Sequence, residues 1–281
     1  MQARPLLEAR RLDTTLIDLG TTRIDTSADL GYSRTTAQYD DEGVIFASGA
    51  RASWPALEHI ATDDSGCYEV LGDHTERIQQ MSTWSGRLAS LYPTTGPPAL
   101  LLSGTLMHRI KGIHPGQDTQ RKLQPLGRLA GVRVLDTATG LGYTAIDAAR
   151  AGARVVTVEW DPAVIDIERR NPWSAELFAC EMIERHQGDV AEVIDSFEAA
   201  AFDRILHDPP VFALAGDLYG GAFYRQLRRV LARRGRLFHY IGNLESPSGA
   251  RVSRGVARRL AEAGFEDVRL QPDAFGISAR G

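Results

Sequence analysis

From residue 131 onward the chain repeats one pattern: a short apolar run, a turn, and a longer amphipathic segment. Strands are expected at 133–136, 154–159, 185–188, 204–207 and 236–241, and helices at 144–151, 162–170, 190–196 and 222–232. Strands that alternate with helices have to run parallel, because each helix carries the chain back across the sheet, and such a sheet is buried on both faces. A further helix at 251–263 and strand-like runs at 266–271 and 275–279 follow. Two closing strands after the fifth βα unit predict a seven-stranded, mostly parallel sheet whose last pair is antiparallel.

Before residue 113 the rhythm is different. Short runs at 14–19, 35–39, 44–46, 67–70 and 99–103 are broken by Asp- and Gly-rich turns, with one helix expected at 54–60. This predicts a smaller β-rich module over 1–113, a connecting segment over 114–130 that holds Gly116 and Pro125 among polar residues, and an α/β domain over 131–281. Composition narrows the functional classes. The net charge of -4 argues against a chain-wide basic surface for nucleic acid. Cys67 and Cys180 lie in different halves without metal-ligand spacing, so neither a disulfide framework nor a metal site is expected. No apolar run reaches the roughly 18 residues a membrane span needs, and the expected location is the cytoplasm. The oligomeric state is open between a monomer and a homodimer.

The stretch Asp136-Thr137-Ala138-Thr139-Gly140-Leu141-Gly142-Tyr143 closes the first strand of the second half and opens onto a helix. Ligands of open α/β sheets bind at the carboxyl ends of the strands, where this loop sits. A dinucleotide fingerprint would carry a third glycine and face a pyrophosphate; here a carboxylate precedes the turn instead. Asp136 is suited to accept from an ammonium, Glu159 at the end of the second strand from paired hydroxyls, and Asp189 after the third strand from an exocyclic amine. Each also has an ordinary alternative: a structural turn, a solvated strand end, and a helix N-cap for the segment from Val190.

Together with Asp208-Pro209-Pro210 after the fourth strand, these motifs resemble the class I S-adenosylmethionine-dependent methyltransferases over residues 131–242. The narrower resemblance is to a family of prokaryotic predicted methyltransferases described as spermine-synthase-like. It is carried by Gly104-Thr-Leu-Met-His108-Arg109, Pro115-Gly-Gln-Asp118-Thr119, Asn171-Pro-Trp-Ser174 and His207-Asp-Pro-Pro210. The resemblance implies a Rossmann-like fold and S-adenosylmethionine as cofactor, held by Asp136, Thr137, Gly140, Gly142, Tyr143, Glu159 and Asp189. It also implies a reaction site at Asp208, Pro209 and Pro210, where relatives that methylate planar amines accept the N–H bonds of the nucleophile. An aromatic residue usually follows the two prolines; here Val211 takes its place and Phe212 comes one position later.

Candidate substrate residues are His108, His114, Asp118, Trp173 and Phe212, with Trp173 able to stack on a ring or to pack in a core. The expected reaction is methyl transfer to an acceptor that is a small amine, RNA or protein. Aminopropyl transfer to a polyamine, as by spermidine or spermine synthases, and a non-catalytic nucleotide-binding module are the alternatives. The Arg-rich stretches at 225–236 and 251–259 read either as a basic face for RNA phosphates or as solvated helix faces.

Overall fold

The computed structural model describes residues 23–71, 74–210, 215–244 and 246–281, so the strand expected at 14–19 lies outside the described residues. The chain divides into two compact units, Met1–Pro115 with Arg169–Trp173, and Gly116–Glu168 with Ser174–Gly281.

In the first unit β1 (Arg23–Thr26), β2 (Thr35–Tyr39), β3 (Gly43–Ile45) and β4 (Arg51–Ser53) form an antiparallel sheet in that order. Helix α1 (Trp54–Ala61) follows directly: Ser53 accepts from the Ala56 N–H at 3.4 Å as its N-cap, and Pro55 presets the first turn. The helix buries Trp54, Leu57 and Ile60 against Ala37, Val44 and Phe46 of the sheet. A hairpin of β5 (Tyr68–Leu71) and β6 (His74–Arg77) comes next. A second antiparallel sheet then holds β7 (Gln79–Met81), β8 (Leu88–Tyr92), β9 (Ala99–Leu102) and β10 (Thr105–Leu106), in the order β10-β9-β8-β7.

The second unit opens with helix α2 (Pro115–Leu123). The segment 114–130, expected to be a connection, is therefore helical over half its length, and its Leu123, Leu126 and Leu129 are buried in a core cluster. Its polar residues misled the reading because two of them, Asp118 and Lys122, are buried as an ion pair and face inward like apolar ones. The helix leads into β11 (Arg133–Asp136), α3 (Tyr143–Arg150), β12 (Arg154–Glu159), α4 (Pro162–Arg170), α5 (Glu176–Ala179), β13 (Ile183–Gln187) and α6 (Val190–Val193). The remainder is β14 (Phe202–His207), α7 (Gly221–Val230), β15 (Leu231–Tyr240), α8 (Pro247–Glu262), β16 (Glu266–Gln271) and β17 (Gly276–Arg280).

The seven strands β11 to β17 form one Rossmann-like sheet in the order β13-β12-β11-β14-β15-β17-β16. The first five neighbours pair in parallel, and β17 enters antiparallel between β15 and β16. Side chains alternate across the sheet. Leu135, Ile205 and Leu237 pack on one face against Phe223, Leu227, Val256 and Leu260 of α7 and α8; Val134, Leu206 and Phe238 pack on the other against Leu123, Ala145 and Ile146 of α2 and α3. Helices thus cover both faces, as strands apolar on both sides demand. The strand order reverses between β11 and β14, which opens a crevice at their carboxyl ends.

Candidate active site at the carboxyl edge of the second sheet

β11 ends on Asp136, and β14 ends one residue before Asp208, so the two carboxylates flank the crevice where the strand order reverses. The strands are joined beyond the ladder by the Thr137 N–H, which donates to the Leu206 carbonyl at 3.0 Å. Asp136 is 1% exposed and accepts from the Thr144 hydroxyl at 2.7 Å and the Ala138 N–H at 3.4 Å. Burial pushes its carboxyl up to about 7; the Thr144 bond opposes this and the nearby Asp208 charge adds to it.

The turn after Asp136 is shaped by two left-handed residues. Gly140 has φ 58° and an added Cβ would meet nothing within 4 Å, so its side faces open space. Gly142 has φ 73° and an added Cβ would overlap the Leu177 side chain, so this position is fixed by packing as well as by dihedral. Tyr143 begins α3 and is buried. Glu159, at the end of β12, accepts from the Gly140 N–H at 2.9 Å through one carboxylate oxygen and from the Asp161 N–H at 3.0 Å through the other. Its carboxyl is also driven up to about 7 by burial, against the pull of these backbone donors. Asp136, Thr137, Gly140, Gly142, Tyr143 and Glu159 are thereby gathered at one edge of the sheet. Trp160, which follows Glu159 and is 42% exposed, is a large indole at this edge that the sequence reading passed over. Asp189 is the N-cap of α6 and accepts from the Ala191 N–H at 2.8 Å, so one of its oxygens has a structural task.

On the other side of the crevice Asp208 accepts from the Lys122 ammonium at 2.6 Å through Oδ2. The same ammonium lies 3.0 Å from Asp118 Oδ2 and 4.2 Å from the centre of the Tyr240 ring. Burial alone would push the lysine down, but the Asp208 and Asp118 carboxylates outweigh it and hold the ammonium well above the ordinary lysine range. Asp208 is pushed up by burial and pulled back by that ammonium. The sequence signal for this cluster was present: Asp118 and Lys122 are four residues apart, the spacing that puts two side chains on one face of a helix. Asp118 and Asp208 were both candidates from the sequence; Lys122, the group that joins them, was missed because the segment was read as a connection.

Pro209 and Pro210 follow Asp208, and the Tyr219 hydroxyl donates to the Pro210 carbonyl at 3.2 Å, which ties down the turn. Phe212 lies outside the described residues. Behind Asp208, His207 and His239 are fully buried with ring centres 4.3 Å apart. His207 Nε2 meets the Leu218 carbonyl at 2.9 Å and must donate to it; Nδ1 then accepts from the Thr137 hydroxyl at 2.7 Å. By the same logic His239 Nδ1 donates to the His207 carbonyl at 3.1 Å and Nε2 accepts from the Tyr224 hydroxyl at 3.0 Å. Both rings are thus held neutral, and burial lowers His207 to about 4.

His108, His114 and Trp173 belong to the first unit. His108 Nδ1 accepts from the Leu100 N–H at 3.1 Å, and the His114 ring packs on Gly96. The Trp173 indole donates to the Leu30 carbonyl at 3.1 Å and meets Tyr32 edge to face at 5.2 Å. The Arg-rich stretches divide. Arg228, Arg229 and Arg259 are spent on the carbonyls of Gly264, Phe197, Ile194 and Tyr219, whereas Arg251, Arg254 and Arg258 are exposed on α8. No helix among the described residues is long and apolar enough to cross a membrane.

No protein-family model matches the chain. It is 39% identical over 228 residues to Uncharacterized protein MJ1233 of Methanocaldococcus jannaschii, covering 81% of this chain and 77% of that protein. A more distant relative is the Ribosomal RNA small subunit methyltransferase J of Halorhodospira halophila, 26% identical over 193 residues and covering 66% and 68% of the two chains. Among solved structures, a spermidine synthase in complex with the transition-state analogue AdoDATO aligns with a TM-score of 0.58 at 16% identity, over 78% of this chain and 82% of that one. The spermidine synthase of Thermotoga maritima aligns with a TM-score of 0.55 at 16% identity, over 80% and 83%. At such identities the structural likeness speaks for the fold.

Proposed function

Because the chain belongs to the family of the archaeal protein MJ1233 and has the class I methyltransferase-like, spermine-synthase-like fold, we propose that it binds S-adenosylmethionine and transfers its methyl group to a nitrogen nucleophile. The observation that carries this reading is the pair of carboxylates, Asp136 and Asp208, flanking the crevice where the strand order reverses. A site with buried carboxyls raised to about 7 at Asp136 and Glu159 suits a ligand that brings an ammonium and vicinal hydroxyls. Asp136 takes the ammonium and Glu159 the hydroxyls, each oxygen of Glu159 keeping a second lone pair beyond its backbone donor. The open side of Gly140 leaves room for the ligand to approach the backbone.

When bound, S-adenosylmethionine supplies a methyl group made electrophilic by its sulfonium. The chain's own part is positioning. Asp208 Oδ2 is engaged by Lys122, and among the described residues nothing engages its other oxygen, which can accept an N–H of the nucleophile and aim the nitrogen lone pair. Pro209 and Pro210 hold that carboxylate on a turn, which the Tyr219 hydroxyl fastens. The exposed arginines of α8 and the ribosomal RNA methyltransferase relative favour testing RNA first among acceptors.

Calorimetry with S-adenosylmethionine and with its decarboxylated analogue tests the cofactor. Tighter binding of the carboxylated form supports methyl transfer; the reverse order would support aminopropyl transfer, the chemistry of the spermidine synthases that share the fold. Once an acceptor is found, Asp208→Asn is expected to lower kcat by about a hundredfold with cofactor affinity little changed. Equal loss of both would move Asp208 into the cofactor pocket.

A further inference from the structure

Two carboxylates and an aromatic face arranged around one point are what binds an alkylammonium away from water. Asp118, Asp208 and Tyr240 make such a cage, and the chain fills it with an ammonium of its own. Lys122 Nζ lies 3.0 Å from Asp118 Oδ2, 2.6 Å from Asp208 Oδ2 and 4.2 Å from the Tyr240 ring centre. Lys122 and Asp118 are closed off, at 3% and 1% exposure, whereas Asp208 keeps 19%. The carboxylate that borders the crevice is therefore paired from behind with an internal cation that it shares with Asp118.

We propose that Lys122 is a specificity-determining residue: its ammonium occupies the cation place between Asp118 and Asp208, so the acceptor admitted beside Asp208 is an uncharged amine, and alkylammonium acceptors such as polyamines are shut out. The inference rests on the reading of Asp208 as the group that faces the acceptor. Like charges a few ångströms apart in a water-poor site repel strongly, so an incoming ammonium meets Lys122 as an obstacle where a neutral N–H meets a free carboxylate oxygen. The chemistry agrees. An ammonium has no lone pair, whereas a neutral nitrogen can form the new N–C bond with its own pair as the C–S bond breaks and its electrons return to sulfur. The proton that the nitrogen then sheds passes to the unengaged Asp208 oxygen and on to water.

The test needs no cofactor. Ethylammonium and 1,4-diaminobutane are titrated by calorimetry into the whole protein, into Lys122→Ala and into Lys122→Gln, which keeps most of the side chain's packing. The wild type is expected to bind neither. Lys122→Ala is expected to bind ethylammonium at least about tenfold more tightly than the wild type does. That binding should vanish when Asp118→Asn is added, fade as pH rises through the amine's own pKa, and be unmatched by the neutral analogue ethanol. A purely structural lysine would not produce this dependence on ligand charge. Folded Lys122→Ala or Lys122→Gln protein with no gain for ethylammonium would overturn the proposal. So would saturable binding of 1,4-diaminobutane to the wild type that Asp208→Asn abolishes, and this arm decides even where neither lysine variant folds. Failure of the methyl-transfer reading would appear elsewhere, in the order of affinity for S-adenosylmethionine and its decarboxylated analogue.

Discussion

If Asp136 takes the cofactor's ammonium, as proposed, it ties cofactor affinity to pH, and the size of the effect follows from its burial. Burial pushes its carboxyl, 1% exposed, up to about 7 in the free protein. An ammonium seated against it favours the ionised form and lowers that value, so binding must expel the proton wherever the free carboxyl is protonated. With a free value near 7, the fraction ready to bind at pH 6 is about one in eleven and at pH 8 about nine in ten, so affinity should rise about tenfold between them. Glu159, also raised to about 7, can add a second proton to the slope. The stability of the free protein runs the opposite way. A carboxyl raised on folding contributes stability that is full below its unfolded value near 4 and is lost as pH rises through 7. Calorimetry of S-adenosylmethionine binding from pH 6 to 8, in buffers of unequal ionisation enthalpy, counts the protons released. Asp136→Asn should remove one proton from that count and weaken binding at pH 8 by about 1 to 3 kcal/mol. An affinity unchanged from pH 6 to 8, with no buffer dependence, would refute the assignment of Asp136 to the ammonium.

Gly142→Ala should destabilise the second unit by about 2 to 4 kcal/mol, since a Cβ there overlaps Leu177 at a left-handed φ of 73°; urea unfolding measures it, with Gly140→Ala as the milder comparison. Holding His207 neutral down to about pH 4, where a free imidazole protonates near 6.5, corresponds to about 3 kcal/mol that is present above pH 6.5 and lost as pH falls through 4. The stability gap between the wild type and His207→Gln should shrink by that amount over the same range. Arg170→Ala should cost the first unit about 1 to 2 kcal/mol, because its guanidinium lies 2.9 Å from Glu69 and 3.0 Å from Glu76 with 21% exposure; circular dichroism on heating follows the loss. Limited trypsinolysis should spare the bond after Lys122, which is 3% exposed within a helix, and rapid cutting there would contradict the folded state of α2.

The seven-stranded sheet was legible because its strands carry the plainest signal a sequence can give. Residues 133–136, 154–159 and 266–271 were delimited to the residue, since each opens on a charged residue and β11 and β12 are apolar on both faces. β15 was expected at 236–241 and runs Leu231–Tyr240. Arg233 and Arg234 hid its start, and Arg234 sits at a φ of 67° that no strand pattern announces. In the first unit β1, β4 and the strands β6, β7, β8 and β10 went unread. Short antiparallel strands such as Gln79–Met81, exposed along their length, offer neither an apolar run nor an alternation.

The candidate site was legible where a residue type is tied to a chain position, and illegible where it depends on what packs against what. Asp136, Gly140, Gly142, Glu159 and Asp208 stand at strand ends and turns, so the order of elements is enough to bring them together. Lys122 meets Asp208 and Tyr240 only through the fold: it comes from a helix 86 residues upstream of Asp208, and Tyr240 lies at the end of β15. The ammonium is also what decides the character of the crevice. With Lys122 absent, Asp118 and Asp208 would be two buried carboxylates side by side, a site that calls for a cation from solution. With it present, the cation place between them is filled, and on the proposed reading Asp208 is left as a fixed acceptor for a neutral N–H. On the proposed reading, a single buried lysine, four residues after an aspartate in a segment that reads as a connection, separates two acceptor classes that one fold can serve.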